Sequence, residues 1–191
     1  MRIQYRGMEK NKIRKLVMCA LFTALIAVGA YIRIPGPAVP FTLQTLFVML
    51  AGVLLGPRLG VISALAYMLI GLLGIPIFTG GGGIGYVFRL SFGYIIGFVA
   101  AAYVTGRITA RSDEPSLRLI LIANGAGIMT VYAFGLAYYY LLSRFYFGQE
   151  VPLVPFFMNC FILTLPGDIV TCGIGAVLSR RLIPVARRTL N

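Results

Sequence analysis

Six apolar stretches alternate with short polar breaks along the chain: Leu16 to Ile32, Phe41 to Leu55, Leu59 to Ile77, Leu90 to Val104, Leu117 to Leu142 and Pro152 to Leu182. A helix satisfies its own backbone in lipid, and about 20 apolar residues match the roughly 30 Å hydrocarbon core. The pattern predicts an all-α membrane protein, a single domain over residues 1–191 built as a six-transmembrane-helix bundle. The second stretch has only 15 residues. At ~1.5 Å per residue it falls short of the core, so flanking protein or extended chain is expected to complete it. The fifth and sixth stretches are long enough to tilt, and Pro155 and Pro166 allow the last to bend.

Charge orients the bundle. Of the 17 Lys and Arg residues, all but Arg33, Arg89 and Arg144 fall in four places on one side. These are the basic N-terminal segment 1–15, the break at Arg58, the loop holding Arg107, Arg111 and Arg118, and the last turns and tail from Arg180, with residues 183–191 as a basic tail. The positive-inside rule then places both termini in the cytoplasm. A formal charge of +12 would point to nucleic acid in a soluble protein. Here the cations flank apolar runs without interleaved stacking aromatics, so topology explains them and no nucleic-acid partner is expected. A hydrophobic fraction of 59% and a mean hydropathy of +0.91 exceed what a chain this short can bury in water.

Three connections are then external: Arg33 to Pro40, rich in proline; Phe78 to Arg89, with the run Gly80, Gly81, Gly82, Gly83; and Ser143 to Val151. Proline stiffens the first, and glycine lets the second approach a ligand closely. The run formally contains G-x-G-x-x-G at Gly80, Gly82 and Gly85, but membrane helices flank it instead of a βαβ unit, which rules out the dinucleotide reading. No G-x-x-x-x-G-K-[ST] occurs, so any ATP-driven step belongs to another subunit. With no histidine, and with Cys19, Cys160 and Cys172 scattered through apolar runs, no metal site and no cofactor is expected.

Asp168 is the one acidic residue inside a span, where a carboxylate costs about 2.5–3.5 kcal/mol on insertion scales and requires a partner, a ligand or a proton. Helical spacing aligns it with Thr164, Thr171, Cys172, Gly175 and Ser179 on a face expected to line a cavity or the bundle interior. Gln44, Asn159, Tyr86 and Tyr94 lie near the same outer level. Taken singly each serves as a cap or interface anchor; together with Asp168 and the glycine loop they outline a pocket. Small residues recur at helical spacing at Gly52, Gly56 and Gly60, at Gly93 and Gly97, and at Ala123 and Gly127, which is expected for internal packing. Ala20 and Ala24, in the cytoplasmic half of the first span, read instead as a docking face for a partner subunit.

The stretches Val39-Pro40-Phe41-Thr42-Leu43-Gln44-Thr45-Leu46, Ala51-Gly52-Val53-Leu54-Leu55-Gly56-Pro57-Arg58-Leu59-Gly60, Gly74-Ile75-Pro76-Ile77-Phe78-Thr79-Gly80-Gly81, Phe92-Gly93-Tyr94 with Gly97, and Leu165-Pro166-Gly167-Asp168 together resemble the BioY family. These are the biotin-specific substrate-binding (S) components of energy-coupling factor (ECF) transporters, and the resemblance runs over nearly the whole chain. It implies a multi-pass protein of a prokaryotic plasma membrane that captures biotin from outside. It further implies association with a transmembrane coupling subunit, through Ala20 and Ala24, and with two cytoplasmic ATPases. Asp168 matches the family aspartate that receives the ureido N–H groups of biotin.

Three positions depart from the pattern of some members: Thr171 in place of a lysine one turn after the aspartate, Gly82 in place of an asparagine, and Ile95 in place of an arginine. The carboxylate of biotin then needs another donor, for which Arg89 is the candidate, with the backbone N–H groups of Gly80 to Gly83 as the alternative. A same-fold receptor for a different vitamin is the rival reading. An intramembrane enzyme or a helical scaffold is a third, opposed by the lack of a paired acid and base within the spans.

Overall fold

The computed structural model describes residues 2–34, 41–148, 150, 152, 158–162 and 164–190, with backbone alone at 2–10, 34, 159, 160 and 190. Helix α1 (Arg2–Tyr31) leads into a two-residue strand β1 (Arg33–Ile34), antiparallel to β2 (Phe41–Thr42) with Arg33 opposite Thr42. Then follow α2 (Gln44–Leu72), a 3-10 turn (Ile84–Phe88), α3 (Phe92–Thr109), α4 (Leu117–Leu141) continued by a π turn (Leu142–Tyr146), a second π turn (Met158–Ile162) and α5 (Leu165–Leu190). Five of these helices are long and apolar enough to cross a membrane: Asn11–Tyr31, Gln44–Leu72, Phe92–Thr109, Leu117–Tyr146 and Leu165–Thr189. The protein is therefore an all-helical, multi-pass membrane protein.

The second and third apolar stretches meet in α2, which is not one rod. Gly56 has φ 81° and ψ 176°, outside the helical region, and Pro57 follows it. A residue before proline is pushed out of the helical region, and proline itself suits the first position of a new helix. The chain doubles back there. A Cβ placed on Gly60 would lie 2.9 Å from the Cα of Gly52, whereas eight residues of continuous helix span about 12 Å. The first arm of α2 is buried almost throughout, from Gln44 to Leu55, so the shelter expected for a short apolar stretch comes from surrounding protein.

Glycine lets α3 press onto this hairpin. A Cβ on Gly52 would sit 2.0 Å from Thr105 Oγ1 and 2.6 Å from the Ala102 carbonyl, and one on Gly97 would sit 2.9 Å from Val131 of α4. Helices in lipid gain little from apolar burial as such, so backbones this close supply association through packing. Hydroxyls within the bundle return to carbonyls: Thr23 to Cys19 and Ser63 at 2.9 and 3.0 Å, Thr105 to Ala101 at 2.8 Å, Thr109 to Thr105 at 2.8 Å. The outer faces carry Val28, Ile62, Ile122, Phe134, Ile169 and Ile174, all exposed, as a lipid-facing surface requires.

Two boundaries differ from the sequence expectation. The last helix begins at Leu165, not Pro152, so Asp168 stands in its first turn and not at mid-span. It also continues to Leu190, with Ile183 and Ala186 buried and Arg187 bonded to the Ser112 carbonyl at 3.3 Å, so the basic tail is packed helix. The N-terminal basic segment is likewise helical in its backbone, from Arg2.

Candidate substrate-binding site

Thr164 and Pro166 open α5, and the Asp168 N–H closes the first turn onto the Thr164 carbonyl at 3.1 Å. Pro166 lacks an N–H where a helix start leaves that group without a helical partner, and the helix dipole favours an anion in this turn. Gly167 lets the turn lie against β2: a Cβ there would be 2.7 Å from the Phe41 ring. Asp168 is thereby fixed beside Phe41 and Thr42, only 6% exposed.

From α4, the Tyr132 hydroxyl donates to Asp168 Oδ2 and shares a 2.6 Å hydrogen bond with Thr164 Oγ1. The Tyr132 ring stands edge-on to Tyr94, 6.3 Å between centroids, and to Phe161 at 4.7 Å. At the start of α2, Gln44 is 3% exposed; its Nε2 donates to the Tyr67 hydroxyl at 2.7 Å and its Oε1 accepts from Thr42 at 3.3 Å. The Tyr67 hydroxyl in turn donates to the Ile77 carbonyl at 3.2 Å, tying the pocket wall to the glycine loop.

That loop is folded on itself. Gly81 and Gly83 have φ of 117° and 101°. The Gly81 N–H bonds the Phe78 carbonyl at 3.2 Å, and that of Gly83 bonds the Gly71 carbonyl at 2.8 Å. Phe78 seats its ring on Gly71, and beyond it Thr79 and Tyr86 join their hydroxyls at 3.0 Å.

These elements enclose a cavity of about 60 Å³, walled by Asp168, Tyr132, Gln44, Thr79, Tyr86 and Tyr94 together with apolar residues such as Phe98 and Ile128. That is several times the roughly 10–15 Å³ a single water needs. Among the described residues Asp168 has no cationic partner; the one ion pair there is Arg187 with Asp113, at 3.6 Å on the far end of α5. A carboxylate in a largely apolar wall, steered by one phenol, is an acceptor for N–H donors of a solute.

Of the residues expected from sequence, Gln44, Tyr86, Tyr94 and Asp168 meet in this cavity. Thr171 does not reach it: its hydroxyl returns to the Gly167 and Asp168 carbonyls at 2.9 and 3.0 Å. Gly80, Gly81, Gly82 and Gly83 stand behind Thr79 and outside the wall. Arg89 lies along the outer side of the loop, its guanidinium 5.2 Å from the Tyr86 ring centroid and against Gly80, beside a separate shallow depression with Phe88 and Phe147. The Asn159 side chain lies outside the described residues. Ala20 and Ala24 are exposed on α1.

Sequence reasoning passed over Tyr132 and Thr42, while Thr164 was placed on the cavity-facing stripe with Asp168. For Tyr132 a signal exists: Asn124, Gly127, Ile128, Val131, Tyr132 and Gly135 recur at helical spacing, and Tyr132 is the phenol on that buried face.

The sequence profile described as the BioY family matches residues 4–188. The chain is 42% identical to a "Probable biotin transporter BioY" of Lysinibacillus sphaericus, over 94% of this chain and 92% of that protein. It is 35% identical to a protein of the same description from Pyrococcus horikoshii, over 90% and 97%. Its fold superposes with a TM-score of 0.76 on a crystal structure, at 2.1 Å, of the S-component for biotin from an ECF-type ABC transporter, at 27% identity and covering 90% of this chain and 91% of that one. These relatives are transporter components and not enzymes. A profile match spanning almost the whole chain, close relatives of nearly equal length and a shared fold lead to one conclusion: the chain belongs to the BioY family.

Proposed function

We propose that this protein is the biotin-binding S component of an ECF-type importer of a prokaryotic plasma membrane, capturing biotin on the outer side. The observation that carries the reading is Asp168: a carboxylate buried in the wall of a cavity, held by Tyr132, with no cation beside it among the described residues. Biotin presents the N–H groups of a cyclic urea, which such an acceptor receives, and its apolar ring system suits walls of Phe98, Ile128 and Tyr94. The two arms of α2 count as two crossings in this reading, giving six with both termini cytoplasmic, and Ala20 and Ala24 receive a coupling subunit that recruits two ATPases.

Calorimetric titration of the detergent-purified protein with biotin tests it. We expect saturable heat from the wild type and, for Asp168→Asn, an affinity lower by roughly 10- to 150-fold, as befits a charge-assisted hydrogen bond of about 1.5–3 kcal/mol. No binding by the wild type, or equal affinity in the variant, overturns the assignment; the former leaves a receptor for a different vitamin.

A further inference from the structure

Arg33 and Arg89 are 56 positions apart in sequence and come from different connections, yet both side chains converge on one dipeptide. Arg33 Nη1 donates to the Thr79 carbonyl. A Cβ on the adjacent Gly80 would lie 2.3 Å from Arg89 Nη1, and the same guanidinium lies over the Tyr86 ring. Thr79 and Tyr86 are in the cavity wall. Both arginines are exposed, and among the described residues neither is ion-paired. Cations on the outer side work against the inside-positive orientation, so two of three outer arginines gathered at one spot call for an explanation other than topology. Each guanidinium offers five N–H donors, and the single bond to Thr79 leaves Arg33 with donors to spare.

We propose that Arg33 and Arg89 together form an anion-binding rim at Thr79–Gly80, with Arg33 a specificity-determining residue that reads a carboxylate on the captured solute. This rests on the reading of the cavity as a biotin site and deepens it: the wall residue Asp168 takes N–H donors, and the rim takes the acidic tail. A paired guanidinium site admits a planar carboxylate through parallel N–H bonds, which a neutral amide cannot match. Arg33 also clasps the loop, and that role alone would serve charged and neutral solutes equally.

The test therefore compares biotin with biotinamide, which keeps the urea and replaces the carboxylate by a neutral amide. Wild type, Arg33→Gln, Arg89→Gln and Asp168→Asn are titrated calorimetrically with both. We expect wild type to favour biotin, and each arginine variant to lose roughly three- to fivefold for biotin while holding its affinity for biotinamide, near the upper limit for exposed charge pairs. Asp168→Asn should lose affinity for both. If Arg33→Gln weakens both ligands by the same factor, Arg33 is only a clasp and the proposal fails. It fails equally if wild type does not distinguish the two or if the variant leaves the ratio unchanged. Absence of biotin binding by the wild type instead defeats the assignment of the cavity itself.

Discussion

Two local features favour the charge of Asp168 where it stands. It occupies the first turn of α5 and it accepts from the Tyr132 phenol. Its position relative to a ligand is set by Tyr132, whose ring is itself wedged between Tyr94 and Phe161. Tyr132→Phe keeps the ring and deletes the donor. We expect titration to show biotin affinity lower by about 3- to 10-fold with little change in thermal stability, the range for one hydrogen bond; unchanged affinity would mean the phenol does not orient the carboxylate. At this scale the sequence was most readable where a polar side chain interrupts an apolar run, as Asp168 and Gln44 do. Tyr132 escaped notice because a tyrosine among Tyr138, Tyr139 and Tyr140 reads as an interface anchor until the packing face is known. For Thr171, spacing gives the helical face but not the hydroxyl's partner, because a threonine hydroxyl in a helix readily bonds back to its own backbone.

Among the elements, the turn at Gly56 and the contact of α2 with α3 decide the geometry. A substitution at Gly52 meets backbone, the Ala102 carbonyl, and not merely a side chain that can move away. Gly52→Ala should therefore separate α2 from α3 at a cost of about 1–3 kcal/mol, seen as a melting temperature lower by several degrees in detergent. Gly125→Ala is the control: nothing lies within 4 Å of a Cβ there, and alanine favours helix, so stability should hold or rise slightly. Equal behaviour of the two variants would contradict the packing described. Each of the six apolar stretches corresponds to helix over more than half of its length. The sixth was drawn too early because the segment before Leu165 is as apolar as a span, and hydropathy alone does not distinguish helix from the π turn at Met158–Ile162.

At the scale of the whole molecule, the face of α1 bearing Ala20 and Ala24 is exposed together with Val17, Leu21 and Val28, an apolar surface with small residues at its centre. If the coupling subunit docks there, Ala20→Leu with Ala24→Leu should abolish copurification with the coupling module and biotin uptake by cells, while biotin titration of the isolated protein stays as in wild type. Retained uptake would place the partner elsewhere. Orientation is open to a separate check. With Cys19, Cys160 and Cys172 replaced by Ala, a cysteine introduced at Gly80 should react with a membrane-impermeant maleimide on intact cells. One at Asp113 should react only after permeabilisation, and the reverse order would invert the topology. This orientation is a proposal drawn from charge alone, since cation counts need no knowledge of packing. The convergence of Arg33 on Thr79 and of Arg89 on Gly80 was not legible, because it depends on two connections being brought together by helices that lie between them.

The reversal at Gly56 also acts as a ruler. Gln44 meets Tyr67 because each stands a set number of residues from the same corner, with Gly52 and Gly60 face to face on the way. Removing one residue from the second arm would turn Tyr67 by about 100° and shift it by about 1.5 Å, carrying its hydroxyl out of reach of the amide. Length between corner and rim is thus as fixed a property of this protein as the identity of any side chain, and insertions should be borne far better in the loop around Asp113 than anywhere between Gln44 and Leu72.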